Sequence, residues 1–238
     1  MKAILYICHG SRTKKGYDEA KRFIESFTPF VNVPIQQLCF LELCEPSILT
    51  GIQNCIVKGA TTIIAVPILL LAAAHAKQDI PEQLAKAKEQ FPDLTIIYGE
   101  PFGVQPKIID ALSEQVHAQS DAILLVGRGS SDLEAQQNFQ TVGHLLEQKM
   151  EIPVQTCYLA AAQPTFLEAL QNMTLSSSKH ITIIPYLLFF GQLIAKMERT
   201  IDSFRNDHQV FVLGEPIGRH PVLYELLKKQ INDLMQKG

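Results

Sequence analysis

The stretch ILYICHGSR, Ile4 to Arg12, decides the fold. An apolar run from Ile4 to Cys8 has no polar break and then delivers His9 into a glycine turn. Such unalternating strands belong to parallel sheets covered by helices on both faces. The same phrase returns at residues 123–131 as ILLVGRGSS, with Arg128 in the place of the histidine.

Outward from that stretch, apolar runs alternate with amphipathic ones. Strands are expected at Lys2–Cys8, Pro34–Phe40, Thr61–Ile68 and Leu94–Tyr98, with helices at 15–27, 46–58, 78–91 and 104–118. The second half gives strands near 121–126, 152–158, 180–187 and 209–213, with helices near 132–149, 163–173, 192–206 and 219–236. The repeat is visible residue by residue. CFLELCEPSI (39–48) lines up with CYLAAAQPTF (157–166), Pro46 on Pro164, and YGEPFGVQP (98–106) with LGEPIGRHP (213–221). TIIAVPILLL (62–71) matches ITIIPYLLFF more loosely, Pro67 on Pro185. A closed barrel also has eight βα units, but it runs to about 250 residues and carries no twofold likeness of this kind. The expected fold is α/β: two similar lobes, residues 1–118 and 119–238, each a four-stranded parallel sheet flanked by helices, with the active site in the cleft between them.

Composition narrows the class. The chain has 238 residues, 47% hydrophobic and 19% charged, with a net charge of −3. That balance argues against general nucleic-acid binding. No apolar run reaches the roughly eighteen residues of a membrane span, and the N-terminus enters a strand with no signal-peptide layout. The five cysteines form no CxxC pair, so neither a disulfide framework nor a zinc knuckle is expected. A cytoplasmic, soluble protein is expected, with no membrane partner.

The repeat serves as an internal control for chemistry. His9 aligns with Arg128, Glu42 with Ala160 and His75 with Leu193. All three reactive side chains belong to the first half and none has a like counterpart in the second. With strand order 2-1-3-4, they follow three neighbouring strands at their carboxyl ends, where open α/β sheets bind ligands. Two imidazoles and a carboxylate suit a divalent first-row metal, and an imidazole can also accept a proton. Each residue also has a plainer reading: His9 hydrogen-bonding a loop carbonyl, His75 capping the next helix, Glu42 a solvated loop carboxylate. Cys44 reads as small core filler, and His117, His144, His180, His208 and His220 as surface residues. Arg12, Lys14, Lys15, Lys77 and Arg128 would suit a ligand with several carboxylates. GRGSSD (127–132) is a weak nucleotide signal, lacking a third glycine and a Lys-Ser/Thr ending.

HGSR (9–12), LELCEPSI (41–48) and VPILLLAAAHAKQDIP (66–81) resemble the sirohydrochlorin chelatases, class II chelatases that insert iron or cobalt into a reduced tetrapyrrole. The looser second half is similar to the family's long, two-lobed form, so the likeness covers nearly the whole chain. It implies an ATP-independent lyase acting on sirohydrochlorin and a divalent metal, Fe²⁺ or Co²⁺, with no further cofactor. The metal-binding and proton-accepting histidines fall on His9 and His75, and the acidic residues on Glu42 and Glu45. The loop against the macrocycle falls on Leu70, Leu71, Ala72, Ala73 and Ala74, where the family commonly has glycine at the last position. Arg12 and Arg128 are expected to meet substrate carboxylates. A non-catalytic metal or tetrapyrrole carrier is the competing class.

Overall fold

A computed structural model describes residues 1–205 and 207–237. In chain order the elements are β1 (Lys2–Cys8), α1 (Lys14–Phe27), β2 (Ile35–Phe40), α2 (Ile48–Val57), β3 (Thr62–Pro67), α3 (Ile80–Gln90), β4 (Thr95–Tyr98) and α4 (Pro106–Ser113). The pattern then repeats as β5 (Ala122–Gly127), α5 (Leu133–Met150), β6 (Val154–Tyr158), α6 (Phe166–Leu175), β7 (His180–Tyr186), α7 (Gln192–Phe204), β8 (Val210–Leu213) and α8 (Val222–Gln236). The strands form two four-stranded parallel sheets, ordered β2-β1-β3-β4 and β6-β5-β7-β8. The central strands β1 and β5 are buried from Ala3 to Cys8 and throughout, respectively. That explains their unbroken apolar sequences.

Two compact units result: Met1–Gly103 with the final helix from Leu223 onward, and Val104–Val222. The sequence repeat and the compact units therefore divide the chain differently. α4 belongs to the second unit, where it buries Ile108, Ile109, Ala111 and Leu112, and the Gln115 Oε1 that follows it accepts the Glu215 N–H at 2.9 Å. α8 belongs to the first unit. There Tyr224 stacks within 5.1 to 5.9 Å of Phe23, Phe27 and Phe30, and Lys2 Nζ donates to the Met235 carbonyl at 3.0 Å. A cut after residue 118 would strip these aromatic rings of the helix that covers them.

The first unit's core lies on both faces of its sheet. Leu5, Ile7, Cys39, Ile48, Ile52, Ile63 and Ala65 pack on one side. On the other, the Tyr6 ring meets Phe27 edge-on, and its hydroxyl donates to Gln36 Oε1 at 2.6 Å. Gln36 Nε2 in turn donates to the carbonyls of Thr28, Val31 and Val33, which fixes the chain entering β2.

At the carboxyl end of this sheet, pairing runs past the strands themselves. The Leu41 N–H donates to the Cys8 carbonyl at 2.8 Å, and the Glu42 N–H to the His9 carbonyl at 3.1 Å. Gly10 has φ +103, and a methyl group there would sit 1.8 Å from the Glu42 carbonyl oxygen. Glycine is required at this turn by conformation and by close approach together. The second unit repeats the arrangement: Ala160 N–H to the Arg128 carbonyl at 2.9 Å, with Gly129 at φ +93 against the Ala160 oxygen. The Glu45–Pro46 and Gln163–Pro164 bonds are both cis. Among the described residues, no helix is long and apolar enough to cross a membrane.

Replacing Gly10 with alanine is expected to lower the unfolding free energy by more than about 2 kcal/mol, from left-handed strain plus the backbone clash. Urea unfolding of Gly10→Ala measures this. A loss of less than about 1 kcal/mol, the cost of left-handed φ alone, would show that the turn yields freely.

Candidate metal centre

Three strands of the first unit each hand one side chain to the same place. β1 ends at Cys8 and presents His9; β2 ends at Phe40 and, two residues on, presents Glu42; β3 leads through an apolar loop to His75. His9 Nε2 lies 3.1 Å from His75 Nε2 and 3.5 Å from Glu42 Oε1. The three potential ligand atoms all fall within 4.8 Å of one another. Ligand atoms bound to one ion at about 2.1 Å stand about 3.0 to 3.4 Å apart at octahedral or tetrahedral angles. The two histidine contacts are therefore near the spacing of a chelating set. The imidazole rings meet edge to face, with centroids 4.7 Å apart. The His9 side chain is 22% exposed and that of Glu42 47%, so the cluster opens to solvent and an ion can enter without unfolding.

Local structure explains how His75 arrives. A single π-helical turn, His75–Asp79, precedes α3, and the Ile80 N–H closes it on the His75 carbonyl. π-Turns are rare and cluster at functional sites. The Tyr98 hydroxyl holds this turn by donating to the Ala76 carbonyl at 3.0 Å. Ala74 stands at φ −46 in ordinary right-handed helical space, so the backbone here has no need of a glycine. The Leu70–Ala74 run is half-buried, an apolar surface leading directly to His75. It is tied to the rest of the unit by the Phe102 N–H on the Leu69 carbonyl and the Gly103 N–H on the Leu70 carbonyl.

The other expected site residues have varied surroundings. Glu45 is exposed, and its Oε2 accepts the Ser47 N–H at 2.8 Å, ordering the loop before α2. Gln163 Oε1 makes the equivalent contact with Thr165 in the second unit at 3.0 Å. A neutral amide thus serves the scaffold as well, and the charge of Glu45 is left for another use. Arg12 is exposed three residues beyond His9, and Arg128 is exposed at the matching strand end of the second unit. Cys44 is not core filler. It is half-buried, its thiol donates to the Ser11 carbonyl at 3.1 Å and accepts the Ser11 N–H at 3.3 Å, clipping the HGSR turn to the Glu42 loop.

Cys8, adjacent to His9, is fully buried. Burial first, and the neighbouring Cys44 second, push its thiol far above the ordinary range. It stays protonated and so does not compete as a thiolate ligand. The nucleotide reading of GRGSSD loses its basis, because Asp132 Oδ1 already accepts the Ala135 N–H and puts its own negative charge at the start of α5. The residue that sequence reasoning missed is Asp79, whose Oδ2 stands 2.6 Å from His75 Nδ1. Its signal was the four-residue spacing HAKQD, which places both side chains on one side of a helical turn.

An α/β protein with duplicated parallel sheets and an imidazole–carboxylate cluster at its strand ends has a donor set of the kind that could hold a metal ion. The comparisons carry this to a family. Residues 3–119 and again 122–234 match the CbiX family. A sirohydrochlorin ferrochelatase of Priestia megaterium is 43% identical over 99% of this chain and 91% of its own length. A sirohydrochlorin cobaltochelatase of the same organism is 31% identical over 98% and 80%. SirB from Bacillus subtilis, solved with Fe³⁺, superposes with a TM-score of 0.87 at 35% identity, covering 98% of this chain and 95% of that one. The chain belongs to the sirohydrochlorin chelatase family, CbiX/SirB, in its two-lobed form.

The second unit carries Arg128, Ala160 and Leu193 at the places of the cluster residues, none of them a metal ligand. One divalent ion per chain is therefore expected. Calorimetric titration with cobalt should show one equivalent in the wild type and none when His9 and His75 are both alanine. A second equivalent that survives the double change would contradict this division of labour.

Proposed function

We propose that this chain inserts a divalent metal, Fe²⁺ in preference to Co²⁺, into sirohydrochlorin. The observation that carries the reading is the cluster of His9, Glu42 and His75 within one unit of a chelatase-family chain. The preference for iron is supported by identity: 43% and 37% to two ferrochelatases, against 31% to a cobaltochelatase of comparable coverage. Donor chemistry alone does not discriminate, since imidazole and carboxylate bind both ions, with affinity rising along the divalent series.

Insertion exchanges two pyrrole N–H protons for one M²⁺, so the site needs metal ligands and a route for two protons. His75 and Glu42 are the ligands in this reading, and His9 is the first proton acceptor. Once a metal takes the lone pair of His75 Nε2, the imidazole–imidazole hydrogen bond is broken. The His9 Nε2–H, released from that contact, can lose its proton to solvent past the half-exposed Glu42, 3.5 Å away, and the ring then takes a pyrrole proton in its place. Three protein ligands or fewer leave coordination positions open for the incoming pyrrole nitrogens. The half-buried Leu70–Ala74 surface, ending at His75, suits the flat apolar face of the macrocycle. Glu45 is an exposed carboxylate on the same loop as Glu42. Arg12 and Arg128 pair with peripheral carboxylates, for which guanidinium geometry is well matched.

His9→Ala is expected to reduce turnover about 10²- to 10⁴-fold, the usual worth of a positioned acid–base group, with unchanged thermal stability. Absorbance spectroscopy of sirohydrochlorin with ferrous ion at buffered free concentration measures it; wild-type turnover in the variant would remove His9 from this role. The same assay with cobalt decides the metal, since faster turnover with cobalt at equal free metal would reverse the preference. Arg128→Ala should weaken tetrapyrrole binding by about 1–3 kcal/mol, as for a lost charge-assisted hydrogen bond, and leave metal affinity unchanged. Calorimetry with each ligand separately tests this, and a loss of metal affinity would contradict it.

A further inference from the structure

We infer that Asp79 is a positioning residue for metal capture, holding His75 in the one tautomer that presents Nε2 to an incoming ion. This rests on the metal-insertion reading above and assigns different tasks to its two histidines.

Hydrogen-bond bookkeeping carries the inference. Asp79 Oδ2 lies 2.6 Å from His75 Nδ1. An ionised carboxylate only accepts, so Nδ1 must carry the proton and donate it. In the neutral ring Nε2 is then an unprotonated lone pair. That nitrogen faces His9 Nε2 at 3.1 Å, a contact that needs one donor and one acceptor. With His75 Nε2 fixed as the acceptor, His9 Nε2 is the donor. Asp79 thus sets the proton position of the His75 ring and, through it, favours the His9 tautomer that Glu42, 3.5 Å from the same His9 nitrogen, also favours. His75 is left ready to bind metal, and His9 is the ring that carries the mobile proton. Carboxylate support of this kind also raises the basicity of a ligating imidazole.

Three further observations separate this role from a scaffold one. Asp79 occupies the N-cap position of α3, yet its side chain makes no capping hydrogen bond there. Its oxygen reaches the nitrogen of His75 remote from the cluster, so Asp79 orients a ligand without joining the set of three. The second unit supplies the comparison. Counted 118 residues on, the offset between Pro67 and Pro185, His75 and Asp79 become Leu193 and Met197, Met197 fully buried, in the regular helix α7 with no π-turn. Among the described residues the second unit shows no metal cluster, and at these places it has neither histidine, nor aspartate, nor π-turn. A carboxylate needed for folding would have had reason to persist.

Imidazole nitrogen-15 NMR of the metal-free protein tests the inference. Spectra are recorded at alkaline pH, where histidine is neutral, and the His75 signals are assigned by their loss in His75→Ala. The wild type should show protonated Nδ1 and bare Nε2. Asp79→Asn and Asp79→Ala should move the proton toward Nε2 and weaken cobalt binding by about 10- to 100-fold, the usual effect of removing a ligand's carboxylate support. Asp79→Glu should recover part of the affinity. Thermal stability and sirohydrochlorin affinity should not change. Retention of the wild-type tautomer and cobalt affinity in both Asp79→Asn and Asp79→Ala would overturn the inference. Neither the tautomer nor the cobalt affinity is measured with the tetrapyrrole. A wild-type protein that fails to metallate sirohydrochlorin therefore sinks the chelatase reading separately.

Discussion

The hydrogen bond from the Glu42 amide to the His9 carbonyl, 3.1 Å long, is the constraint on which the site depends. It prolongs the β1–β2 pairing beyond the last strand residue, into territory where loops ordinarily separate. The extension is possible because Gly10 has no side chain to meet the Glu42 carbonyl, and because the Cys44 thiol grips Ser11 from the other side. The result is that an imidazole and a carboxylate 33 residues apart in sequence emerge side by side from neighbouring strands. β3 lies on the opposite flank of β1, so the loop that follows it brings His75 to the same end of the sheet. Parallel topology, with every strand ending on the same edge, makes this convergence a property of the fold.

The duplication separates scaffold from chemistry within one chain. Both units keep the glycine pressed on a carbonyl, the cis proline and a hydroxyl cap on the following helix, Ser47 on α2 and Thr165 on α6. Both also place a non-glycine residue in left-handed space at the same point of the loop, Leu43 at φ 66 and Ala161 at φ 55. The backbone device is therefore common property. What differs is the set of side chains mounted on it: His9, Glu42, His75 and Asp79 in one copy; Arg128, Ala160, Leu193 and Met197 in the other. A permanent guanidinium in place of an imidazole repels a cation and attracts carboxylates. The proposed function uses that difference, giving Arg128 to substrate carboxylates and the imidazoles to the metal and protons.

The strand positions and the three cluster residues were legible in the sequence because each rests on a robust signal, whereas the strand order 2-1-3-4 was an assumption that the sheet bears out. Unbroken apolar runs mark doubly covered strands, and residues just past such runs sit at the sheet's carboxyl edge. His9 and Glu42 could be placed from those facts alone. Asp79 was overlooked although its four-residue spacing from His75 suits a helical turn, since nothing in HAKQD singles out that pair as a π-turn contact. The helix expected from residue 78 begins at Ile80 for the same reason. Cys44 was misread because a lone cysteine carries no spacing signal, while its contacts with Ser11 are made by the tertiary approach of two loops. The fate of α4 and α8 was also hidden. Periodicity shows that each has an apolar face, but which sheet that face covers is decided by long-range packing, as with Tyr224 on the α1 phenylalanines.

X-ray absorption at the metal edge of the cobalt-loaded protein tests most directly whether one unit supplies the whole first coordination set. One imidazole nitrogen and a carboxylate oxygen are expected at about 2.0–2.2 Å, with the imidazole scattering lost in His75→Ala. A sulfur shell near 2.3 Å, or a spectrum unaltered in His75→Ala, would contradict it.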